Sequence, residues 1–233
     1  MKALLLAAGL GTRLRPFTEN TPKCLMPIGG RPLLQIWLER LATAEVGQFL
    51  VNTHYLAPQV RYFVASGPFA NKVELVHEET LLGTAGTLAA NLDFFNGEDG
   101  LLIHADNYCE ADFKEFISAH RARPADCLMS MMTFRTDTPS TCGIVELDER
   151  SVVQAFHEKS PNPPGDRANG AIYILSDELL HRLAGEYSCL TDFSTQVIPL
   201  LMGKIYAWHC EDVFIDIGSV AAYESIKLRD VRP

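Results

Sequence analysis

Short apolar runs alternate with amphipathic stretches through the first half of this chain, and that rhythm limits its fold more than any other feature. Lys2–Ala8, Gln48–Thr53, Val73–His77 and Gly100–His104 read as strands. Between them, Pro32–Ala44 puts Leu33, Leu34, Trp37, Leu38 and Leu41 on one helical face, with Pro32 in the first turn, where its missing N–H is harmless. Pro58–Ala65, Ala85–Asp93 and Ala111–Ala119 also read as helices. Strand, helix, strand in succession predicts a mainly parallel sheet covered by helices on both faces.

The second half changes character. Cys127–Phe134, Gly143–Leu147, Val152–Glu158 and Ala171–Leu175 look like strands with fewer helices between them. Helices are expected at Asp177–Ala184, Asp192–Met202 and Val220–Leu228, and strands at Ile205–Trp208 and Val213–Asp216. With 233 residues and no repeat or linker, the expectation is one domain spanning 1–233. About 1–120 would form its nucleotide-binding half and about 121–233 the acceptor half.

Composition excludes some functions. A formal net charge of −9 argues against wholesale binding to nucleic acid or an anionic membrane. No apolar run approaches membrane-spanning length. The N-terminal run superficially resembles a signal peptide, but it is short and leads into Gly-rich and basic residues, so it reads as a buried first strand. The six cysteines form no C-x-x-C pair and no zinc spacing, which fits free thiols in a cytoplasmic protein.

The chemistry concentrates where the first strand ends. Ala7-Ala8-Gly9-Leu10-Gly11-Thr12-Arg13 brings two glycines two apart, so backbone amides can approach an anion closely. Arg13 offers a bidentate fork for phosphate oxygens, and Lys23 a point charge. A dinucleotide-binding turn needs a third glycine where Leu14 stands, and Pro16 follows in place of a continuing helix. A Walker loop fails for want of G-K-[ST].

The run Leu6-Ala7-Ala8-Gly9-Leu10-Gly11-Thr12-Arg13-Leu14-Arg15-Pro16, with Thr18, Thr21, Pro22 and Lys23 behind it, resembles the signature of the sugar-phosphate nucleotidylyltransferase family. The resemblance extends over nearly the whole chain. It implies a Rossmann-like three-layer α/β sandwich of the GT-A-like nucleotidyltransferase kind, with a mixed, mainly parallel sheet. It also implies transfer of a nucleotidyl group from a nucleoside triphosphate to a sugar 1-phosphate, by a monomer or homodimer.

Site residues follow from the same resemblance. Glu78, Gly83 and Thr84 lie in a segment similar to the family's E-x-x-x-L-G-T-A-G loop, which contacts the nucleobase. Taken alone, Gly83 and Gly86 would be helix-start punctuation. Asp106, ending the apolar strand, and Asp216, in Phe214-Ile215-Asp216-Ile217-Gly218, match the family's metal carboxylates. Two hard carboxylates suit Mg²⁺, although Asp216 in isolation could cap a helix. Asp212 has less support as a ligand. Asn107 reads as a helper and His104 as a packed strand residue.

On the sugar side, Glu158-Lys159 resembles the E-K-P motif, with Ser160 in place of the proline. The resemblance assigns Glu158 to sugar hydroxyls and Lys159 to the sugar phosphate. Without it, the pair would be a solvated strand end. Asn169 matches the N-A-G-x-Y segment as a reader of a sugar hydroxyl, and Gly143 matches a glycine that lets the sugar approach. Arg13, Lys23, Asp106, Lys159 and Asp216 form the expected catalytic set, with Arg15 a weaker addition.

The L-G-T-A-G loop looks most like guanylyltransferases acting on mannose 1-phosphate or D-glycero-α-D-manno-heptose 1-phosphate, in polysaccharide biosynthesis. Typical mannose enzymes carry a C-terminal β-helix domain; this sequence stops after the catalytic part, as the heptose type does. The alternatives are a uridylyltransferase for an amino-sugar or muramic acid 1-phosphate, and a non-catalytic nucleotide-sugar-binding regulator.

Overall fold

The computed structural model describes residues 1–185 and 189–229. In chain order its first half comprises β1 (Lys2–Leu6), β2 (Pro27–Ile28), β3 (Arg31–Pro32), α1 (Leu33–Thr43), β4 (Gln48–Thr53), α2 (Ala57–Ser66), β5 (Val73–His77), α3 (Thr84–Ala90), β6 (Gly100–His104), β7 (Asn107–Cys109) and α4 (Phe113–Arg121). The second half comprises β8 (Met129–Arg135), β9 (Gly143–Leu147), β10 (Val153–Glu158), β11 (Arg167–Leu175), α5 (Asp177–Gly185), β12 (Ile205–His209), β13 (Phe214–Asp216) and α6 (Val220–Ile226).

The chain divides into two compact units, each assembled from separated stretches of sequence. The first takes Met1–Leu81, Ile103–Phe113 and Val213–Pro233, and the second Leu82–Leu102 and Lys114–Asp212. In the first unit β1 pairs parallel with β4, and β4 parallel with β5. The Ala105 N–H, just past β6, donates to the Leu6 carbonyl at the end of β1 (3.1 Å). Ligand-binding chemistry in open α/β sheets gathers at such carboxyl ends. The central residues of β1 (Ala3, Leu4, Leu5) and of β4 (Phe49, Leu50, Val51) are buried apolar residues, as strands covered on both faces require.

Helix α1 buries the expected face plus Ile36. It begins at Leu33, with Pro32 as the extended residue before it (φ −56°, ψ 135°), paired in the small β2–β3 ribbon. Trp37 from this helix packs edge-on against Phe113 (5.7 Å between centroids), and its indole N–H donates to the Asn107 carbonyl (2.9 Å). A helix side chain thus anchors the residue directly after Asp106. The short strands β7 and β13 pair antiparallel, with Asp216 opposite Asn107.

In the second unit β11 runs antiparallel to β8, β12 parallel to β8, and β9 antiparallel to β10; β9 also meets β11 at Ile144 and Ala168. The pairing is therefore mixed, and the architecture belongs to the Rossmann-like α/β class. Two expected helices differ. Asp192–Met202 is not a continuous helix but a π-helical turn, Phe193–Val197, followed by a 3-10 turn, Ile198–Leu201. Pro199 has no N–H to give an i→i−4 bond and its ring crowds the preceding turn, so a regular α-helix cannot run through it. The helix expected at Ala85–Asp93 likewise stops at Ala90 and passes into a 3-10 turn, Leu92–Phe94.

Candidate active site

The loop after β1 is built before any ligand arrives. Ala7 N–H donates to Asn52 Oδ1 at the end of β4 (2.7 Å). Gly11 sits at φ 63°, a conformation glycine adopts without penalty, and a Cβ there would strike Thr18 Cγ2 (2.9 Å). The buried Thr18 hydroxyl donates to the Gly11 carbonyl (2.7 Å), and Leu14 N–H to the same carbonyl (2.9 Å). Buried Leu14 pins the turn Thr12–Leu14, while Gly9, Thr12 and Arg13 face solvent. A Cβ placed on Gly9 meets no described atom within 4 Å, so this side of the loop is open to an approaching group.

Lys23 is buried (7% exposed) in a 3-10 turn opened by Pro22, and its ammonium meets Asp106 Oδ2 at 2.8 Å. The Asp106 side chain retains 42% exposure although protein surrounds it closely. That surrounding opposes ionisation, but Lys23, His104 and local hydrogen bonds outweigh it and hold the carboxyl below the usual carboxylate range. The second carboxylate, Asp216, is placed by the β7–β13 pairing opposite the residue after Asp106. Ser219, not Asp216, caps α6: its hydroxyl accepts from Ala222 N–H (3.2 Å).

Gly218 explains how Asp216 meets the phosphate loop. A Cβ there would stand 3.0 Å from both Asp216 carboxylate oxygens and 3.2 Å from Arg13 Nη2. The carboxylate and the guanidinium therefore converge over a bare backbone. Among the described residues no group of three or more His, Cys, Asp or Glu could hold a metal ion. Two hard carboxylates, Asp106 in the turn between β6 and β7 and Asp216 at the end of β13, still fit Mg²⁺, which takes one or two protein carboxylates and completes its shell with phosphate and water oxygens.

Glu78, just past β5, is 5% exposed. Its Oε1 accepts from Asn52 Nδ2 (2.9 Å), and its carbonyl accepts from His54 Nδ1 (2.7 Å). The carboxyl ends of β1, β4 and β5 are thus tied together by side chains.

The remaining predicted residues belong to the second unit. Gly83 (φ 80°) lies so close to Thr191 that a Cβ would collide with the Thr191 carbonyl, which also accepts from Ala85 N–H (2.9 Å). The Thr84 hydroxyl oxygen accepts from Phe193 N–H (2.7 Å). The L-G-T-A-G loop is thereby seated on segment 191–193.

Above Gly143 the space a Cβ would fill is held by the Phe156 ring and Glu158 Oε2 (2.7 Å), so this glycine makes room for the ring and the glutamate together. Lys159 occupies the left-handed region (φ 47°), and its ammonium lies 3.5 Å from Glu158 Oε1. Asn169 is fixed at both ends of its amide: Nδ2 donates to Tyr173 Oη (2.7 Å), and Oδ1 accepts from Ala171 N–H (2.9 Å). Burial pushes the Tyr173 phenol well up from its ordinary value, against hydrogen bonds with Asn169 and Ser194. Ala171 stands two residues before the tyrosine, where N-A-G-x-Y has glycine, and it adopts φ 53° at an irregularity in the β8–β11 register.

Sequence reasoning missed the supports: Asn52, Gly218, Tyr173 and segment 191–193. Asn52 carried a signal, a polar side chain following the apolar Phe49-Leu50-Val51. Gly218 was visible only as the end of a motif, and Thr191 gave no signal.

A parallel α/β unit with a glycine-rich loop, two cations, one carboxylate in the turn between β6 and β7 and another at the end of β13 defines a nucleotide-processing protein. The chain belongs to the nucleotidyl transferase family, whose model matches residues 2–231. The mannose-1-phosphate guanylyltransferase of Mycobacterium tuberculosis is 30% identical over 223 residues, which is 93% of this chain and 61% of that protein. The mannose-1-phosphate guanylyltransferase catalytic subunit beta of Drosophila melanogaster is 30% identical over 223 residues, covering 93% and 59%. The chain thus spans about 60% of the length of the curated relatives it matches.

Among solved structures, HddC from Yersinia pseudotuberculosis complexed with GMP-PN has a TM-score of 0.80 at 26% identity over 97% of each chain. A Bacillus anthracis structure named for glucose-1-phosphate thymidylyltransferase has a TM-score of 0.88 at 19% identity, covering 100% of this chain and 96% of that one, a likeness of fold. No helix among the described residues is long and apolar enough to cross a membrane.

Proposed function

We propose that this protein transfers a guanylyl group from GTP to a manno-configured sugar 1-phosphate, mannose or D-glycero-α-D-manno-heptose 1-phosphate, releasing pyrophosphate. The observation that carries the reaction class is the first unit's charge arrangement: Lys23 on Asp106, and Asp216 with Arg13 over Gly218, beside the loop Gly9–Arg13. The guanylyl and manno assignments draw support from the relatives named for that activity and from the neighbour solved with GMP-PN.

The reaction is an in-line displacement. A sugar-phosphate oxygen forms a bond to the α-phosphorus while the bond to the β-phosphate oxygen breaks, and pyrophosphate carries the charge away. A sugar phosphate is already anionic near neutral pH, so no general base is needed, and catalysis rests on positioning and charge stabilisation. Arg13 and the loop amides bind the leaving pyrophosphate, and Lys23 stabilises charge on the α/β phosphates. Lys159 holds the sugar phosphate, and Glu158 and Asn169 hold sugar hydroxyls. Asp106 and Asp216 would hold Mg²⁺, which supplies charge neutralisation at phosphate oxygens. The product nucleotide-sugar would feed polysaccharide assembly.

The test is pyrophosphate release from GTP, UTP, dTTP and CTP against mannose, heptose and N-acetylglucosamine 1-phosphates. Highest kcat/KM with GTP and a manno acceptor is expected. Preference for UTP with an amino sugar would overturn the base and sugar while sparing the reaction class.

A further inference from the structure

The hydrogen bonds that tie the strand ends together have a fixed sense. Ala7 N–H can only donate, so the Asn52 side-chain oxygen must face it (2.7 Å), and the Asn52 NH₂ must then face Glu78 (2.9 Å). The orientation of this amide is set by a backbone donor, not by Glu78. Residue 78 is therefore required to offer Asn52 an acceptor. Glutamate does so and keeps acceptor character everywhere else, since a carboxylate has no donor to present. Glutamine in its place would have to turn Oε1 toward Asn52, and would present an NH₂ in the other direction.

We infer that Asn52 is a positioning residue that fixes the hydrogen-bonding sense of residue 78 and so makes the site select a base with adjacent donors. This rests on the guanylyl reading above, with Glu78 at the nucleobase. Guanine carries N1–H and an N2 amino group side by side on one edge. Uracil offers a single N–H flanked by two carbonyl oxygens, which a carboxylate repels. A site whose acceptor meets an acceptor leaves polar groups unmatched, and such mismatches discriminate strongly. The relay also joins base to phosphate, because the amide it reads is that of Ala7, the first residue of the phosphate loop.

The experiment compares the GTP:UTP ratio of kcat/KM in the wild type, Glu78→Gln, and Asn52→Asp with Glu78→Gln. The single exchange is nearly isosteric and keeps an acceptor for Asn52, yet it should lower the GTP:UTP ratio by at least about tenfold. In the double variant the new carboxylate at position 52 accepts from both Ala7 N–H and the new side-chain amide at position 78. Total charge is conserved, and the amide oxygen at position 78 turns away from position 52. The ratio should then rise by about tenfold from that of the single variant.

Displacement of a fluorescent guanine nucleotide by GTP and UTP gives the same ratio without turnover, and circular dichroism checks the fold. A purely structural Asn52 would lower both substrates together and leave the ratio unmoved. The inference is overturned if Glu78→Gln stays within about threefold of the wild-type ratio, or if the double variant does no better than the single. Failure of the guanylyl reading looks different: the wild type itself then prefers UTP, while the shifts between variants still decide the relay.

Discussion

Gly218→Ala separates geometry from stability at the candidate metal site. The added methyl would sit 3.0 Å from both Asp216 oxygens and 3.2 Å from Arg13 Nη2. An ordinary carbon–oxygen or carbon–nitrogen contact is about 3.5 Å, so the carboxylate and the guanidinium must each retreat by about 0.3–0.5 Å. Asp216 and Arg13 are exposed side chains that can yield, and Gly218 has no left-handed φ that alanine would strain. Folding should therefore change by less than about 1 kcal/mol. Catalysis should change far more, because a misplacement near 1 Å is worth about a hundredfold in rate. A shift of half that size predicts a roughly tenfold loss of kcat/KM. The assay is steady-state pyrophosphate release with GTP and mannose 1-phosphate, alongside thermal melting. Wild-type kcat/KM in a folded Gly218→Ala protein would refute the convergence of Asp216 and Arg13 on the reacting phosphates. A fall in melting temperature matching the loss of activity would refute the separation of the two effects.

Asp106→Asn and Asp216→Asn should each cut turnover by at least about a hundredfold at saturating Mg²⁺. Asp106→Asn should also lower stability, by about 1–2 kcal/mol, because it leaves the Lys23 ammonium without its carboxylate at a site that solvent partly reaches. Denaturant titration reads that loss. Ala171→Gly should raise stability by about 0.5–1 kcal/mol by relieving a left-handed alanine, read as a higher melting temperature. Stability should also fall with acid through a buried histidine. His120 bridges Ser130 Oγ (2.8 Å) and Asp99 Oδ2 (3.2 Å), and burial, opposed by Asp99, holds its pKa below the ordinary 6.5. A base whose folded pKa is depressed binds its proton more readily when unfolded, so stability is full above about 6.5 and falls as the pH drops below it. Asp99, held below 3.8 chiefly by its bond to His120 and despite its burial, adds a second loss at lower pH. Melting temperature should drop between pH 7 and 5 in the wild type and drop less steeply in His120→Gln, where His209, also held below 6.5 by burial, still contributes; equal slopes would rule out His120.

Local residue pattern carried most of the fold. The apolar runs of β1, β4 and β6 and the face of α1 were legible because burial on both sides of a parallel sheet leaves unbroken apolar strands. The segment 192–202 was not legible by the same rule. Its apolar spacing suits a helix, but Pro199 removes a backbone donor in the middle, so the chain closes as two tighter and looser turns. The β2–β3 ribbon and β7 escaped notice because two or three residues carry no period. The interleaving of the two units follows from contacts between distant stretches, such as Glu110 N–H to the Val213 carbonyl (2.9 Å), which no local pattern encodes.

The candidate site divides along the same line. Residues that must carry charge or bare backbone, such as Arg13, Lys23, Asp106 and Gly11, stand out in sequence because their chemistry is rare at strand ends. Their supports do not, because a support is defined by what it touches. Gly143 illustrates the difference. Its small size reads in sequence as room for a sugar, yet the nearest claimants on that room are Phe156 and Glu158 Oε2 (2.7 Å). Gly143→Ala must therefore push the glutamate away from its place beside Lys159, and the sugar would feel the change through Glu158 and not through the methyl itself. That gives a distinctive kinetic outcome. The KM for the sugar 1-phosphate should rise by about tenfold while the KM for GTP stays near its wild-type value, since a site built to hydrogen-bond hydroxyls loses most when its acceptor is displaced. Combining it with Glu158→Ala should add little further, because two changes acting through one contact are not additive. Steady-state kinetics of the two single variants and the double, with each substrate varied in turn, decides the matter. Full additivity would mean that the methyl at position 143 acts on the sugar directly or through the Phe156 ring, and not through Glu158.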